Sequence, residues 1–455
     1  MPTAYTILFL LLILVAAATW IIPAGSYDYV DGVPVAGTYH AVAQNPQGVG
    51  DVLKAAFSGF YDAVDVCIFI LMVGGFLGVV MKTGAVDAGV ANVIRLLGGR
   101  EKWLIPILML LFGLGGTTYG MWEETMAFYP LLIPVFLAAG YDAVVGISVI
   151  LLGAGAGVIA STVNPFATGI AAGFAGVSLG EGIVLRLLEW VAFEAAAIWF
   201  VMAYAARIKR NPSKSVVGVG AGKIQVTMDQ QVPFTAKRKV IMAFFTLTFL
   251  IMVYAVVPFD EMGLPLPTLG WWFPELSALF LVGGVVIGLI DRMSEEELTE
   301  TYVAGCADLL GVAFIIGISR GITVLMRDGA ITDTILHWGE AALSGAGAVS
   351  FTLLVFVLYL PLTILIPSSS GLATLSIPIV APLGKFAGVG GDLVVTAFQS
   401  ASGLVNILTP TAAVVMGALA LGHVPYDRWV KYVWKLMAVF LLLALAFLAA
   451  GVLLG

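Results

Sequence analysis

Charge is what this chain has least of: only 11% of its 455 residues are Asp, Glu, Lys or Arg, against about 25% in a soluble domain. That scarcity excludes a water-soluble globular protein. Cysteine is almost absent too. Cys67 and Cys306 both fall in apolar segments, so neither a disulfide framework nor a metal cluster follows. His40, His337 and His423 sit in loop or interfacial stretches without ligand spacing. There is no Walker motif, no Gly-rich dinucleotide signature and no nucleophile–base set. Their absence argues against ATP-driven work by this chain alone, against catalysis and against a resident cofactor. The net charge of −7 says little by itself, and no nucleic-acid partner is expected.

What is present is apolar. Hydrophobic residues make up 60% of the chain and the mean hydropathy is +1.05. The expected fold class is an all-α polytopic membrane protein in a lipid bilayer. Its 53 glycines suit close helix packing and broken helices. Segments that could cross about 30 Å of hydrocarbon are Tyr5–Pro23, Val64–Lys82, Ala143–Gly173, Val184–Ala206, Val240–Pro258, Leu276–Ile290, Tyr302–Met326, Leu393–Ala420 and Val430–Leu454. The first lacks the basic flank and cleavage site of a signal peptide and reads as a retained span.

Two further segments differ. Trp103–Gly140 and Ser350–Leu383 have polar or Gly-rich centres, Gly115-Gly-Thr-Thr-Tyr-Gly120 and Pro367-Ser-Ser-Ser-Gly371. An arm of about 14 residues rises only about 21 Å. Each segment therefore reads as a re-entrant helical hairpin; two short full spans in each place is the other reading, and both preserve the parity of the topology.

Basic residues orient the chain. With the N-terminus in the cytoplasm, that side carries Lys82, Arg95, Arg100, Lys102, Arg207, Lys209, Arg210, Lys214, Lys223, Lys237, Arg238, Lys239, Arg292, Arg428, Lys431 and Lys435. The other side has little more than Lys54, Arg186, Arg327 and Lys385. This is the positive-inside pattern of a cytoplasmic-membrane protein, with its C-terminus outside. The expected organisation is a first helix and external loop (1–48), a first repeat (49–206; hairpin about 103–140, broken helix about 143–173), a cytoplasmic linker (207–239) and a second half (240–455). The second repeat starts near 300, with a hairpin at about 350–383 and a broken helix at about 393–420.

The halves match in order. Met81-Lys-Thr-Gly-Ala-Val-Asp87 corresponds to Met326-Arg-Asp-Gly-Ala-Ile-Thr-Asp333, and each starts a short amphipathic stretch, Ala85–Leu97 and Ala330–Leu343. Pro130 and Pro134 in one hairpin correspond to Pro378 and Pro382 in the other. Asn164-Pro165 in one broken span corresponds to Thr409-Pro410 in the other. The topology sets the two copies in opposite senses. Inverted repeats with matched interrupted helices point to a secondary transporter with a midplane site for a small molecule.

The candidate site residues lie at the tips and breaks. In the first half they are Thr117, Thr118, Tyr119, Trp122, Glu123, Glu124 and Thr125, with Ser161, Thr162 and Asn164. In the second they are Ser368, Ser369, Ser370 and Thr374, with Asn406, Thr409 and Thr411. Helix N-termini favour a carboxylate, and carbonyl and hydroxyl oxygens favour a hard cation; such hydroxyls also serve helix packing. Glu123 and Glu124 are the costliest residues here. Neighbours point about 100° apart on a helix, so one can meet a solute while the other caps an arm. They can recognise guanidinium or ammonium, carry a proton, or cap a helix. Trp122 and Tyr119 can stack on a guanidinium or simply pack. Arg320 can snorkel, pair with an acid or bind a carboxylate. Glu189, Glu194, Glu275 and Asp308 read as structural partners or as surface residues of a water-filled vestibule.

Gly120-Met-Trp-Glu-Glu-Thr125, Ser161-Thr-Val-Asn-Pro165, Pro367-Ser-Ser-Ser-Gly371 and Asn406-Ile-Leu-Thr-Pro410 resemble the YfcC group. That group is related to the DcuC-type C4-dicarboxylate carriers and to arginine/ornithine antiporters of the ArcD type. The resemblance covers essentially the whole chain. It implies the ion transporter superfamily fold, with a scaffold domain that forms a homodimer and a transport domain that moves as an elevator. Two glutamates repel an anion in a low-dielectric site. The expectation is therefore a basic amino-acid antiporter, with Glu123 and Glu124 on the cation and Asn164, Ser368–Ser370 and Asn406 on the carboxylate or a coupling ion. Coupling to Na⁺ or H⁺ stays open. A proton- or sodium-coupled carboxylate carrier of the DcuC kind is the alternative.

Overall fold

The computed structural model describes residues 4–454 outside 31–32, 87, 90–91, 93–99, 179, 219–232, 257–258, 260–264 and 272. Its helices are α1 (Ala4–Ala18), α2 (Val49–Asp62), α3 (Val64–Lys82), α4 (Leu104–Tyr119), α5 (Tyr129–Ala138), α6 (Ala143–Ile159), α7 (Ile170–Ala175), α8 (Ile183–Arg210) and α9 (Ala236–Val256). There follow α10 (Phe273–Asp291), α11 (Glu295–Asp328), α12 (Thr332–Leu343), α13 (Ala348–Leu365), α14 (Ser369–Phe386), α15 (Gly391–Asn406), α16 (Ala413–Leu421) and α17 (Tyr426–Leu454). Among the described residues five of these, α3, α10, α11, α13 and α17, are long and apolar enough to cross a membrane. The expected stretch Ala85–Leu97 lies largely outside the described residues.

Two features differ from the expectation. The loop before α2 carries two antiparallel pairs of two-residue strands, Gly25–Ser26 with His40–Ala41 and Tyr29–Val30 with Val33–Pro34. It docks on α12: the Tyr27 hydroxyl donates to Glu340 (2.8 Å) and the Tyr29 hydroxyl to Asp333 (2.8 Å). Burial, then the Glu340 bond, pushes the Tyr27 phenol up, so it stays a donor. Helix α2 was not expected either. It forms because Val52, Ala55, Ala56 and Gly59 recur at helical spacing and bury one stripe.

Glycine sets the central packing. Helices α3 and α11 run antiparallel, with Gly74 and Gly78 against Gly305; Gly59 of α2 lies against Gly317 and Gly321. A Cβ at Gly59, Gly74, Gly78, Gly305 or Gly321 would collide with facing backbone, and one at Gly317 with the Phe60 ring, so the small residues allow the close approach. Lys82 at one end of the pair meets Glu297 (3.7 Å), and Arg327 at the other meets Asp62 (3.8 Å). These two ends define a Lys82 face and an Arg327 face.

Helices α4 and α5 form one unit with α6. Met109 meets Gly153 and Gly113 meets Gly157, so α4 runs parallel to α6; Trp122 meets Gly155 and Ile133 meets Gly146, so the chain returns antiparallel. The second unit is tied more directly. The Tyr359 hydroxyl of α13 donates to Ser376 of α14 (2.9 Å), and Phe351 reaches Gly384, which makes the two arms antiparallel. Pro130 and Pro134 fall in the returning arm of the first unit, Pro378 and Pro382 in that of the second. The arms are Leu104–Tyr119 with Tyr129–Ala138 in the first unit and Ala348–Leu365 with Ser369–Phe386 in the second.

Candidate functional site

Two helical stretches are interrupted. Helix α6 stops at Ile159. The chain passes through 160–164, then a π-helical turn over Pro165–Gly169, into α7. Helix α15 stops at Asn406 and resumes as α16 at Ala413. Each interruption includes a proline, Pro165 six residues past Ile159 or Pro410 four past Asn406, that cannot donate to the ladder. The two helices cross antiparallel at their breaks: Gln399 donates to the Val158 carbonyl (2.7 Å), Gly403 lies on Ile159 and Ile407 on Gly155.

The first tip is tied to the first break. Thr117 donates to the Ala160 carbonyl (2.7 Å), and Thr162 returns its hydroxyl (2.9 Å) and its amide (2.8 Å) to the Thr117 carbonyl. Gly120 ends α4 in the left-handed region (φ 77°), where a side chain would run into Asn164. The Thr118 hydroxyl bonds back to Leu114 and that of Thr125 to Trp122, so neither reaches outward. Trp122 is buried against Gly155, which is the packing side of its two expected roles. The side chain of Tyr119 lies outside the described residues.

The glutamates divide. Glu124 is buried and accepts the Trp122 backbone N–H (3.1 Å), so it holds the tip closed as a cap. Glu123 is half-buried at the start of the 3₁₀ turn Glu123–Phe128. Arg320 of α11 and Asp65 of α3 lie within electrostatic reach of it. The same turn packs on α3 and α16. Asp65 was not anticipated; an acid in the first turn of an apolar span was the signal for it.

The second tip has no acid. Ser368 caps α14 through its hydroxyl and the Gly371 N–H (3.3 Å), and Ser369 and Ser370 sit half-buried in the first turn. The Thr374 hydroxyl is spent on the Ser370 carbonyl (2.9 Å). Helix α14 packs on α7 and the π-helical turn, as the first tip packs on α16. Among the described residues no hydrogen bond joins the two tips. Where the breaks cross, the oxygens of Ser161, Ser402 and Asn406 are buried with no partner among the described residues, as is Gln399 Oε1. Thr409 and Thr411 bond each other (2.8 Å), and the Thr411 carbonyl accepts Ser319 of α11 (2.5 Å). Orphaned oxygens of this kind suit a hard cation or the N–H groups of a solute.

Arg186, counted by sequence among the few basic residues of the outer side, is only 2% exposed and donates to the Thr162 carbonyl (3.3 Å), because α8 lays that face against the first break. One expectation is corrected. Glu194 neither pairs nor lines a vestibule. It is 2% exposed against Gly113 of α4, and neither oxygen has a partner among the described residues. Glu189 does have the expected partner, Ser400 (2.9 Å).

A crevice of about 1100 Å³ opens at the Lys82 face. Its walls are α1, α3 and α11 on one side and α5, α16 and the start of α17 on the other. Five membrane-length helices, paired interrupted helices and a cleft between helix groups define a multi-pass membrane transporter. Residues 1–453 match the sequence model of the DcuC family, the C4-dicarboxylate anaerobic carriers, and the chain belongs to that family. It is 35% identical to an uncharacterized protein of Haemophilus influenzae, over 97% of this chain and 95% of the other. It is 30% identical to YfcC of Escherichia coli K12, named as a candidate basic amino acid antiporter, over 95% and 92%. Among solved structures, the YdaH transporter of Alcanivorax borkumensis matches at 14% identity and TM-score 0.46, covering 99% of this chain and 98% of the other.

Proposed function

We propose that this chain is a secondary antiporter of the cytoplasmic membrane for basic amino acids, with Glu123 as the contact for the guanidinium or ammonium group. The carrying observation is the division of the acidic pair: Glu124 is committed to the Trp122 amide, while Glu123 sits between the tip and the α3/α11 pair. An acid placed there is costly unless a cation or proton attends it. The solute's carboxylate would meet the N-terminus of α14 at Ser368–Ser370, where backbone N–H groups favour an anion. Asn164, Thr162, Asn406 and Thr409 would complete the site or hold a coupling Na⁺ or H⁺. The name of the YfcC relative agrees with this substrate class.

The antiparallel pairs α3/α11 and α6/α15, and the prolines shared by both returning arms, support inverted repeats with re-entrant hairpins. We assign α1–α3 and α9–α12 to a scaffold that dimerises. The remaining helices form a transport domain that moves against it, and the Lys82 face is cytoplasmic. A second reading, a carboxylate carrier, is favoured by Arg320, a cation beside the first tip with no hydrogen bond or ion pair among the described residues. Proteoliposomes loaded with ornithine decide between them. Labelled arginine should enter by exchange; exchange of succinate without arginine would make the second reading correct.

A further inference from the structure

We infer that Asp308 stands on the wall of the transporter's cytoplasmic vestibule and gathers cationic solute toward the first hairpin tip. The vestibule rests on geometry, its cytoplasmic side on the orientation assigned above, and the sign of the gathering effect on the basic amino-acid reading.

Asp308 lies about 12 Å, eight residues of helix, beyond Glu300, the last charged residue before it on α11. A carboxylate at that depth is tolerable only where water reaches it. Asp308 is exposed, and it lines the crevice between α3/α11 and α16. The other charges on that wall are engaged or stand at the rim. Lys82 pairs with Glu297 (3.7 Å), Asp427 pairs with Lys431 (3.6 Å), and His423 is in the turn before α17. Asp308 has neither a hydrogen bond nor an ion pair among the described residues. Around it the wall is apolar, with Leu77, Leu309, Val312, Ile315 and Leu419. Low-dielectric walls focus the field of a single charge along a cleft.

The crevice leads to the proposed site. Its inner end includes Val312 and Met416. There Gly417 is packed so closely against Met126 and Val312 that a Cβ would collide with both. Met126 is three residues past Glu123, in the same 3₁₀ turn. Beyond it, Ser319 bonds the Thr411 carbonyl and ties α11 to the second break. A cation entering at Lys82 thus passes Asp308 before reaching the contact of Gly417 with Met126 and Val312, beside the turn that carries Glu123.

The test uses the full chain in vesicles of known orientation. With Cys67 and Cys306 replaced by Ala, Asp308→Cys should react with a membrane-impermeant thiosulfonate from the Lys82 face only. Arginine should slow that reaction. Reaction from the opposite face, or from neither, overturns the vestibule. Separately, Asp308→Asn should raise KM for arginine about threefold at the Lys82 face and leave it unchanged at the other, with Asp308→Glu restoring it. An unchanged KM at both faces overturns the gathering role. Should the carrier prove to take dicarboxylates, Asp308→Asn would lower their KM at that face; the substrate reading would then fail while the vestibule stands.

Discussion

The tip between α4 and α5 and the tip between α13 and α14 are built from opposite chemistry. The first is a left-handed Gly120, a buried Glu124 folded onto its own backbone, and a half-buried Glu123 facing α3 and α11. The second is a serine-capped helix start without an acid. One end of the proposed site would therefore attract a cation and the other an anion, which is the polarity of an amino acid rather than of a dicarboxylate. Opposite charge preferences at the two ends are what the proposed zwitterionic solute requires.

The comparison breaks most severely at Glu123. Glu123→Gln should cut kcat/KM for arginine on the order of 100-fold, the loss of a charged hydrogen bond worth up to about 3 kcal/mol. Glu124→Gln should cost less, about tenfold, because its carboxylate meets backbone rather than solute. Equal losses in the two variants, read by vesicle uptake, would remove the division of labour. Next in size is Gly120→Ala. A residue with a Cβ is strained at φ 77° and would press into Asn164, so about 2 kcal/mol of destabilisation is expected, seen as a lower Tm in detergent.

Much of this asymmetry is readable in the chain. Pro165, Pro410, the Ser368–Ser370 run and the Glu123–Glu124 pair are local signals, and each falls at an interruption of helix. What was not readable depends on partners remote in sequence. Arg186 looks like an interfacial charge until α8 is laid against Thr162. Asp65 gains meaning only when the first tip arrives beside α3. Helix α2 is the exception: the stripe of Val52, Ala55, Ala56 and Gly59 was available and is as regular as any in the chain. It is short and moderately polar, so a search for long apolar runs passes over it.

The crossing of the breaks supplies a prediction in which stability and transport separate. Asn406 Oδ1 is buried with no partner among the described residues. Truncation to Ala removes an unsatisfied acceptor, so folding should lose little. If the oxygen holds solute or a coupling ion, transport should fall about tenfold, the worth of roughly one hydrogen bond of about 1.4 kcal/mol. A variant with lower Tm and normal uptake would mark Asn406 as structural.

The smallest effect is expected at Ser368, and it tests whether the second tip is only a cap. Ser368→Ala deletes the acceptor for the Gly371 N–H, at about 1 kcal/mol. Ser368→Asp keeps an acceptor there and adds a negative charge. If the tip merely starts α14, Asp should rescue stability and transport together, since both residue types cap well. If the tip receives a carboxylate, Asp should rescue Tm while uptake falls below that of the Ala variant, because the new charge repels the solute's anionic end. Parallel recovery of both readouts would mean that the serine tip does not contact the solute, and the zwitterion geometry would lose its anionic half.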